Sequence, residues 1–213
     1  MSDAALFDKK KLSVWFVLLG VAGFLLFIFN QDNAFPSSSL QFKIPREKIQ
    51  QEAADLAKEL GFTQDSKIKS TVFQTDQSTT LFLQHHYGPK EADQLIKNQL
   101  PCFYWNSRFC SPGQLEEFEV DRTPDGKLVA LVHKVPNDLT LPSLKPEEGS
   151  QAFRAFLQKH TNLDPDQFKQ LSFKSEHKKS RDDLSYTFED QKRDYKGARL
   201  RLDFTLAGNQ ISL

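Results

Sequence analysis

The sequence predicts an α+β protein: a single N-terminal transmembrane helix followed by two small lobes, each a helix laid on an antiparallel sheet. Three observations predict it. Leu12 to Phe29 is an unbroken apolar run. Two later stretches, opening at Pro45 and at Pro146, carry apolar residues at helical spacing and are followed by segments of strand-like alternation. A hairpin-like segment of the first lobe also recurs in the second.

The run LSVWFVLLGVAGFLLFIF contains only Ser13 as a polar side chain. An apolar bilayer core of about 30 Å takes about 20 residues of helix, with a range of roughly 17–25, so the run suffices. Lys9, Lys10 and Lys11 precede it. A basic flank stays in the cytoplasm, which puts residues after about Asn30 on the extracytoplasmic side. A cleaved signal sequence usually has an apolar stretch of about 7–15 residues followed by small residues at the cleavage point. Here the run is longer, and Asp32-Asn33-Ala34 lacks that small-residue character. The expected layout is a cytoplasmic lead over residues 1–11, a single span over 12–29 in contact with the lipid bilayer, and a polar, Ser-rich stalk over 30–43.

Roughly 180 residues follow the span, enough for one domain or two small ones. Lys+Arg and Asp+Glu balance at 28 each. The sequence thus lacks the basic excess that neutralises phosphates, and nucleic acid is not an expected partner. Nineteen Phe, one Met and no long Gly/Ser or Pro tract indicate a packed domain. Cys102 and Cys110 lie on the side where disulfides persist. If both fall on one strand, a rise of about 3.4 Å per residue separates them far beyond bridging distance, so thiols are expected rather than a disulfide.

In the first lobe, residues 44–136, Pro45 opens a helix with Ile49, Ala53, Leu56 and Leu60 on one face and Gly61 as its stop. Ile68 to Thr75 reads as a strand. Leu81-Phe82-Leu83 and Pro89 to Leu100 read as a helical insertion broken at Gly88-Pro89. Cys102 to Trp105 with Phe109 is β-favouring, and Phe118 with Val120 turns at Pro124-Asp125-Gly126 into Leu128 to Val132. Residues 137–145 form a linker. The second lobe, 146–213, repeats the plan: a helix opened by Pro146 with Ala152, Phe153, Phe156 and Leu157 on one face, then strands at Phe168 to Ser175, Leu184 to Glu189 and Ala198 to Leu206. In the last of these Leu200, Leu202, Phe204 and Leu206 alternate with Arg199, Arg201, Asp203 and Thr205. The segments from Val120 and from Leu202 match Asp, Thr and Gly in register. Cores are expected around Leu56 and Leu60 in one lobe, and around Phe153, Phe156, Leu202 and Phe204 in the other. The end at Leu213, two residues past Ile211 in a strand, is read as a truncation.

No catalytic, cofactor-binding or metal-ligating residue is assigned. His85-His86 has no carboxylate at i+3 or i+4. His133, His160 and His177 are isolated in sequence, and such histidines belong more often to edges and surfaces than to catalytic sites. Glu116 and Glu117 point to opposite faces of a strand and cannot act as a dyad. Lys178, Lys179, Arg181, Asp182 and Asp183 read as a solvated loop. Phe103, Tyr104, Trp105 and Phe109 are either core or a binding platform, and core is the commoner use of an aromatic strand.

Ala34-Phe-Pro36, Pro45-Arg-Glu47 at a helix start, the Trp105-x-x-Arg-Phe109 strand, and Glu116-Glu-Phe-Glu-Val120 before an Asp-Gly hairpin resemble the extracytoplasmic N-terminal region of bacterial CPBP-family intramembrane metalloproteases, the type II CAAX-endopeptidase-like group. The resemblance implies two PepSY-like lobes and a role outside catalysis, because the E-E-x-x-x-R and histidine motifs of that family belong to its membrane core. Here Glu116-Glu117 is followed by Phe-Glu-Val-Asp, so no catalytic residue carries over. The expectation is a non-catalytic accessory or regulatory region of a membrane-embedded metalloprotease, whose partners are that protease core or a substrate protein. The alternative is a stand-alone membrane-anchored interaction or inhibitory module.

Overall fold

The computed structural model describes residues 3–34, 40–63 and 65–212, the side chains of 3–12 and 31–34 excepted. The side chains of Lys9 to Lys11, residues 35–39 of the expected stalk with Phe35-Pro36, and Leu213 therefore lie outside what is described, while residues 30–34, expected in the stalk, continue the N-terminal helix. The elements group into two compact units, Met1–Leu40 with Gln77–Leu100, and Gln41–Asp76 with Pro101–Leu213.

The first unit contains α1 (Asp3–Ala34), α3 (Gln77–Tyr87) and α4 (Pro89–Asn98). Within α1, Ser13–Asn30 has a mean hydropathy of 2.2 with no part buried, which makes it long and apolar enough to cross a bilayer. The same length and composition also suit a signal sequence. Gly88, at φ +77°, and Pro89 at the first helical position separate α3 from α4 at the expected break.

The second unit holds two four-stranded antiparallel meanders and two helices. α2 (Arg46–Glu59) starts one residue after Pro45, which stands ahead of the first turn in extended conformation rather than inside it. The helix buries Ile49, Ala53, Leu56 and Ala57, and Gly61 at φ +95° turns the chain out of it. β1 (Ile68–Thr75), β2 (Phe103–Cys110), β3 (Glu117–Arg122) and β4 (Leu128–Lys134) form the first sheet in that order. α5 (Pro146–His160) then precedes the second sheet: β5 (Phe168–His177), β6 (Asp182–Asp190), β7 (Arg201–Ala207) and β8 (Gln210–Ser212). The α+β expectation thus holds, with one helix against one antiparallel sheet twice over.

One core gathers Ala53, Leu56, Ala57 and Phe62 against Phe109, Phe118, Val120 and Leu131. The other gathers Phe153 and Leu157 against Phe168, Leu184, Tyr186, Phe188, Phe204 and Leu206. Leu60, Phe156 and Leu202, expected at core centres, are only half-buried. Phe156 is half-buried because it sits on the flank of α5, packing against both cores, as does Ile211. Glu59 on α2 meets Lys159 at 2.7 Å and His160 at 3.3 Å on α5. The Ser212 hydroxyl donates to the His133 carbonyl at 2.7 Å, closing the seam where β4 meets β8.

Arg181 corrects the reading of residues 178–183 as a solvated loop. Its side chain is 1 % exposed and pairs with Asp183 at 2.7 Å. Its guanidinium also donates to the carbonyls of Pro136 and Leu139 at 2.7 and 2.8 Å, clamping the linker over the second sheet.

Candidate functional site

The face of the first sheet that α2 packs on consists of three cross-strand rows. Lys69, Phe109, Phe118 and His133 stand opposite one another in sequence, then Thr71, Ser107, Val120 and Leu131, then Phe73, Trp105 and Arg122. The first two rows lie beneath α2. There Gln50 donates to the Thr71 hydroxyl at 3.0 Å, and Thr71 shares a 3.0 Å hydrogen bond with Ser107, so the polar atoms of this seam are satisfied.

The third row is covered differently. Phe42, in the segment leading into α2, lays its ring on Phe73 and Trp105, with centroids at 5.2 and 6.0 Å, and Phe73 meets Trp105 at 5.1 Å. The Phe42 side chain is nevertheless 59 % exposed. Beside it Arg122 donates to the Gly126 carbonyl at 2.8 Å. Burial lowers the pKa of this guanidinium, and Glu52 on α2 opposes the shift. The turn it reaches cannot carry a side chain at Gly126, where φ is +91° and an added Cβ meets Ile44 at 2.7 Å.

β1 closes this sheet, and no further strand pairs with it among the described residues. Ile68 and Val72, on the face away from α2, are 46 % and 55 % exposed. Apolar groups therefore flank a backbone edge on both of its faces.

The residues singled out in the sequence fall elsewhere. His133 is fully buried although β4 is the last strand of its sheet: its Nε2 lies 2.8 Å from Glu116, and its ring packs on Phe118 and Phe62 at 5.0 and 5.9 Å. Its alternation with Leu131 along β4 was the available signal. Glu116 precedes β3 rather than standing in it and pairs with His133, while Glu117, the first residue of β3, pairs with Arg108 and with Lys134 at 2.8 Å. Hydrogen bonds from Lys134 and then Arg108 hold its carboxyl below the usual range. His177 pairs with Asp182 at 2.7 Å on the surface. The rings of His85 and His86 stand 5.0 Å apart on α3, and no group of three metal-ligating side chains occurs among the described residues. Cys102 and Cys110 form no disulfide. Of the aromatic strand, Phe109 is core, Trp105 belongs to the third row, and Tyr104 points to the opposite face. The partnership of Trp105 with Phe42 and Arg122 escaped the sequence reading, since it depends on register across three strands.

These features define a mixed α+β protein with one helix fit to cross a membrane. No family model, curated protein or solved structure matches the chain.

Proposed function

We propose that this chain is a membrane-anchored protein-recognition module, with α1 as a single-pass anchor, its N-terminus cytoplasmic and the two sheets outside. The observation that carries the reading is the β1 edge, where backbone that no described strand pairs lies between Ile68 and Val72 on one face and Phe73 with Phe42 on the other. An extended segment added to such an edge gains main-chain hydrogen bonds, while its alternate side chains meet apolar groups on both faces. The narrower form of the proposal follows the resemblance: the two lobes are PepSY-like, and the module is the accessory region of a CPBP-family membrane metalloprotease, engaging its core or its substrate.

A photo-crosslinking residue at Val72 in cells is expected to trap a protein, whereas one at exposed Lys58 on α2 traps none. Absence of an adduct at Val72, or equal adducts at both positions, overturns the proposal. An adduct with a multi-span protein bearing E-E-x-x-x-R supports the narrower form, and an adduct with any other protein leaves the stand-alone module. Protease added to intact spheroplasts is expected to digest both sheets, and full protection sinks the orientation.

A further inference from the structure

The chain buries cations sparingly and pairs them. Arg181 sits against Asp183 at 2.7 Å, and Arg193 against the fully buried Asp190 at 2.5 Å. Arg122 differs. It is half-buried, its only hydrogen bond is to the Gly126 carbonyl, and no carboxylate lies within 4.0 Å of it among the described residues. Its Nε is buried without an acceptor. Trp105, its register partner on the neighbouring strand, has its indole Nε1 buried without an acceptor as well.

Two unsatisfied donors on register partners, one of them on a charged group, are costly. A buried donor left without a partner has lost its hydration with nothing in exchange, and the loss is greater when the group is charged. Among the described residues, the other two buried side-chain nitrogens without partners, on His133 and Arg193, belong to groups already bonded to Glu116 and Asp190. The row of Phe73, Trp105 and Arg122 is thus the place where the chain supplies positive charge and donors but no acceptor to match.

We propose that Trp105 and Arg122 form a binding subsite for a carboxylate carried next to an aromatic or other large apolar group, and that the Phe42 ring occupies the apolar half of that subsite until the ligand displaces it. A planar guanidinium and an indole N–H on its register partner suit the two oxygens of a carboxylate. The exposed phenyl of Phe42 marks where the ligand's apolar group stacks on Phe73 and Trp105. Glu52 faces the same turn from α2, close enough to act on Arg122 electrostatically but without an ion pair, so it disfavours the anion without filling its place. A C-terminal residue of a protein and a free aryl carboxylate share this chemistry. The subsite extends the recognition reading by naming what one partner end looks like, but its test uses no cellular partner.

The full chain in detergent, with Trp15→Phe so that Trp105 is the remaining indole, is titrated with phenylpropionate, with phenylpropionamide, and with the tripeptide Ala-Ala-Phe bearing a free carboxylate. The expected result is a saturable change in Trp105 emission with both carboxylates and none with the amide. Phe42→Ala is expected to tighten binding at least threefold, Glu52→Gln to leave it equal or tighter, and Arg122→Gln to weaken it at least tenfold. If Arg122→Gln fails to fold, the acid–amide difference and the Phe42→Ala effect still decide. A tripeptide at least tenfold tighter than phenylpropionate assigns the site to a protein C-terminus, and equal affinities assign it to a free acid. Equal binding of acid and amide overturns the subsite, and so does the lack of a saturable change both with Phe42 in place and in the Phe42→Ala variant. Loss of the Val72 adduct in cells with this titration intact removes the strand-addition reading alone.

Discussion

Gly149 occupies the first turn of α5, where glycine is a poor helix former. Its presence there has a packing cause. An added Cβ meets the Tyr186 hydroxyl and comes within 2.9 Å of the ring carbon that bears it. That hydroxyl donates to the Pro146 carbonyl at 2.8 Å, so Tyr186 on β6 fastens the start of the helix through the space that Gly149 leaves open. Gly149→Ala gains about 1 kcal/mol of helix propensity. It loses about 1–3 kcal/mol to overpacking against an ordered ring. The clash wins because Tyr186 stacks on Phe188, meets the tilted ring of Phe173 at 5.0 Å and has little room to retreat. A lower melting temperature is expected for Gly149→Ala, with part of the loss recovered on adding Tyr186→Phe. A Gly149→Ala chain more stable than the parent overturns this account. Nothing in the sequence distinguishes this glycine from a tolerated one, because its partner lies far along the chain in β6.

At the scale of elements, the sequence was most legible where periodicity is long and the punctuation is Gly or Pro. The α3–α4 break at Gly88-Pro89, the extent of β1 and the Asp125-Gly126 turn all follow from local chemistry. It was least legible where a polar residue is held by a distant one. Arg181 is buried in a segment that reads as a solvated loop, His133 at a position that reads as edge or surface, and Asp190 just past the expected strand, and each is held by partners that register or a clamp brings in. Asp190 ends β6 and organises the loop after it. It accepts from the backbone N–H groups of Lys192 and Arg193 at 2.8 and 3.2 Å and from the Arg193 side chain. Burial pushes its carboxyl up, but these donors outweigh burial and leave its pKa below the ordinary 3.8. A depressed folded pKa contributes stability that is fully present above the unfolded value and is lost as pH falls through the folded one. Asp190→Asn is therefore expected to cost about 1.5–3 kcal/mol at pH 7, the range for a charged hydrogen bond. The gap to the parent should narrow as pH drops below 3.8 in thermal melts. A gap that stays constant down to that acidity contradicts the assignment.

At the scale of the whole unit formed by Gln41–Asp76 and Pro101–Leu213, the two lobes have the same order of one helix and four meandering strands. The matched Asp, Thr and Gly positions fall on the last hairpin of each, with Gly126 and Gly208 both at positive φ, +91° and +57°. Similar lobes joined by a linker are free to unfold separately unless they share buried contacts. These do: Phe156 and Ile211 pack against both cores, Glu59 joins α2 to Lys159 and His160 of α5, and the Ser212 hydroxyl reaches the His133 carbonyl. The ion pairs are exposed enough to contribute little, on the order of 0–1 kcal/mol each. The shared apolar residues carry the coupling, since opening one lobe strips one side from each of them and costs burial in the other. One cooperative transition is the expected result. Native-state hydrogen exchange in increasing denaturant checks it: amides of β3 and β6 should merge into one opening with a common midpoint, and Phe156→Ala with Ile211→Ala should split them. Separate midpoints in the unsubstituted chain would mean that the shared apolar residues do not couple the lobes.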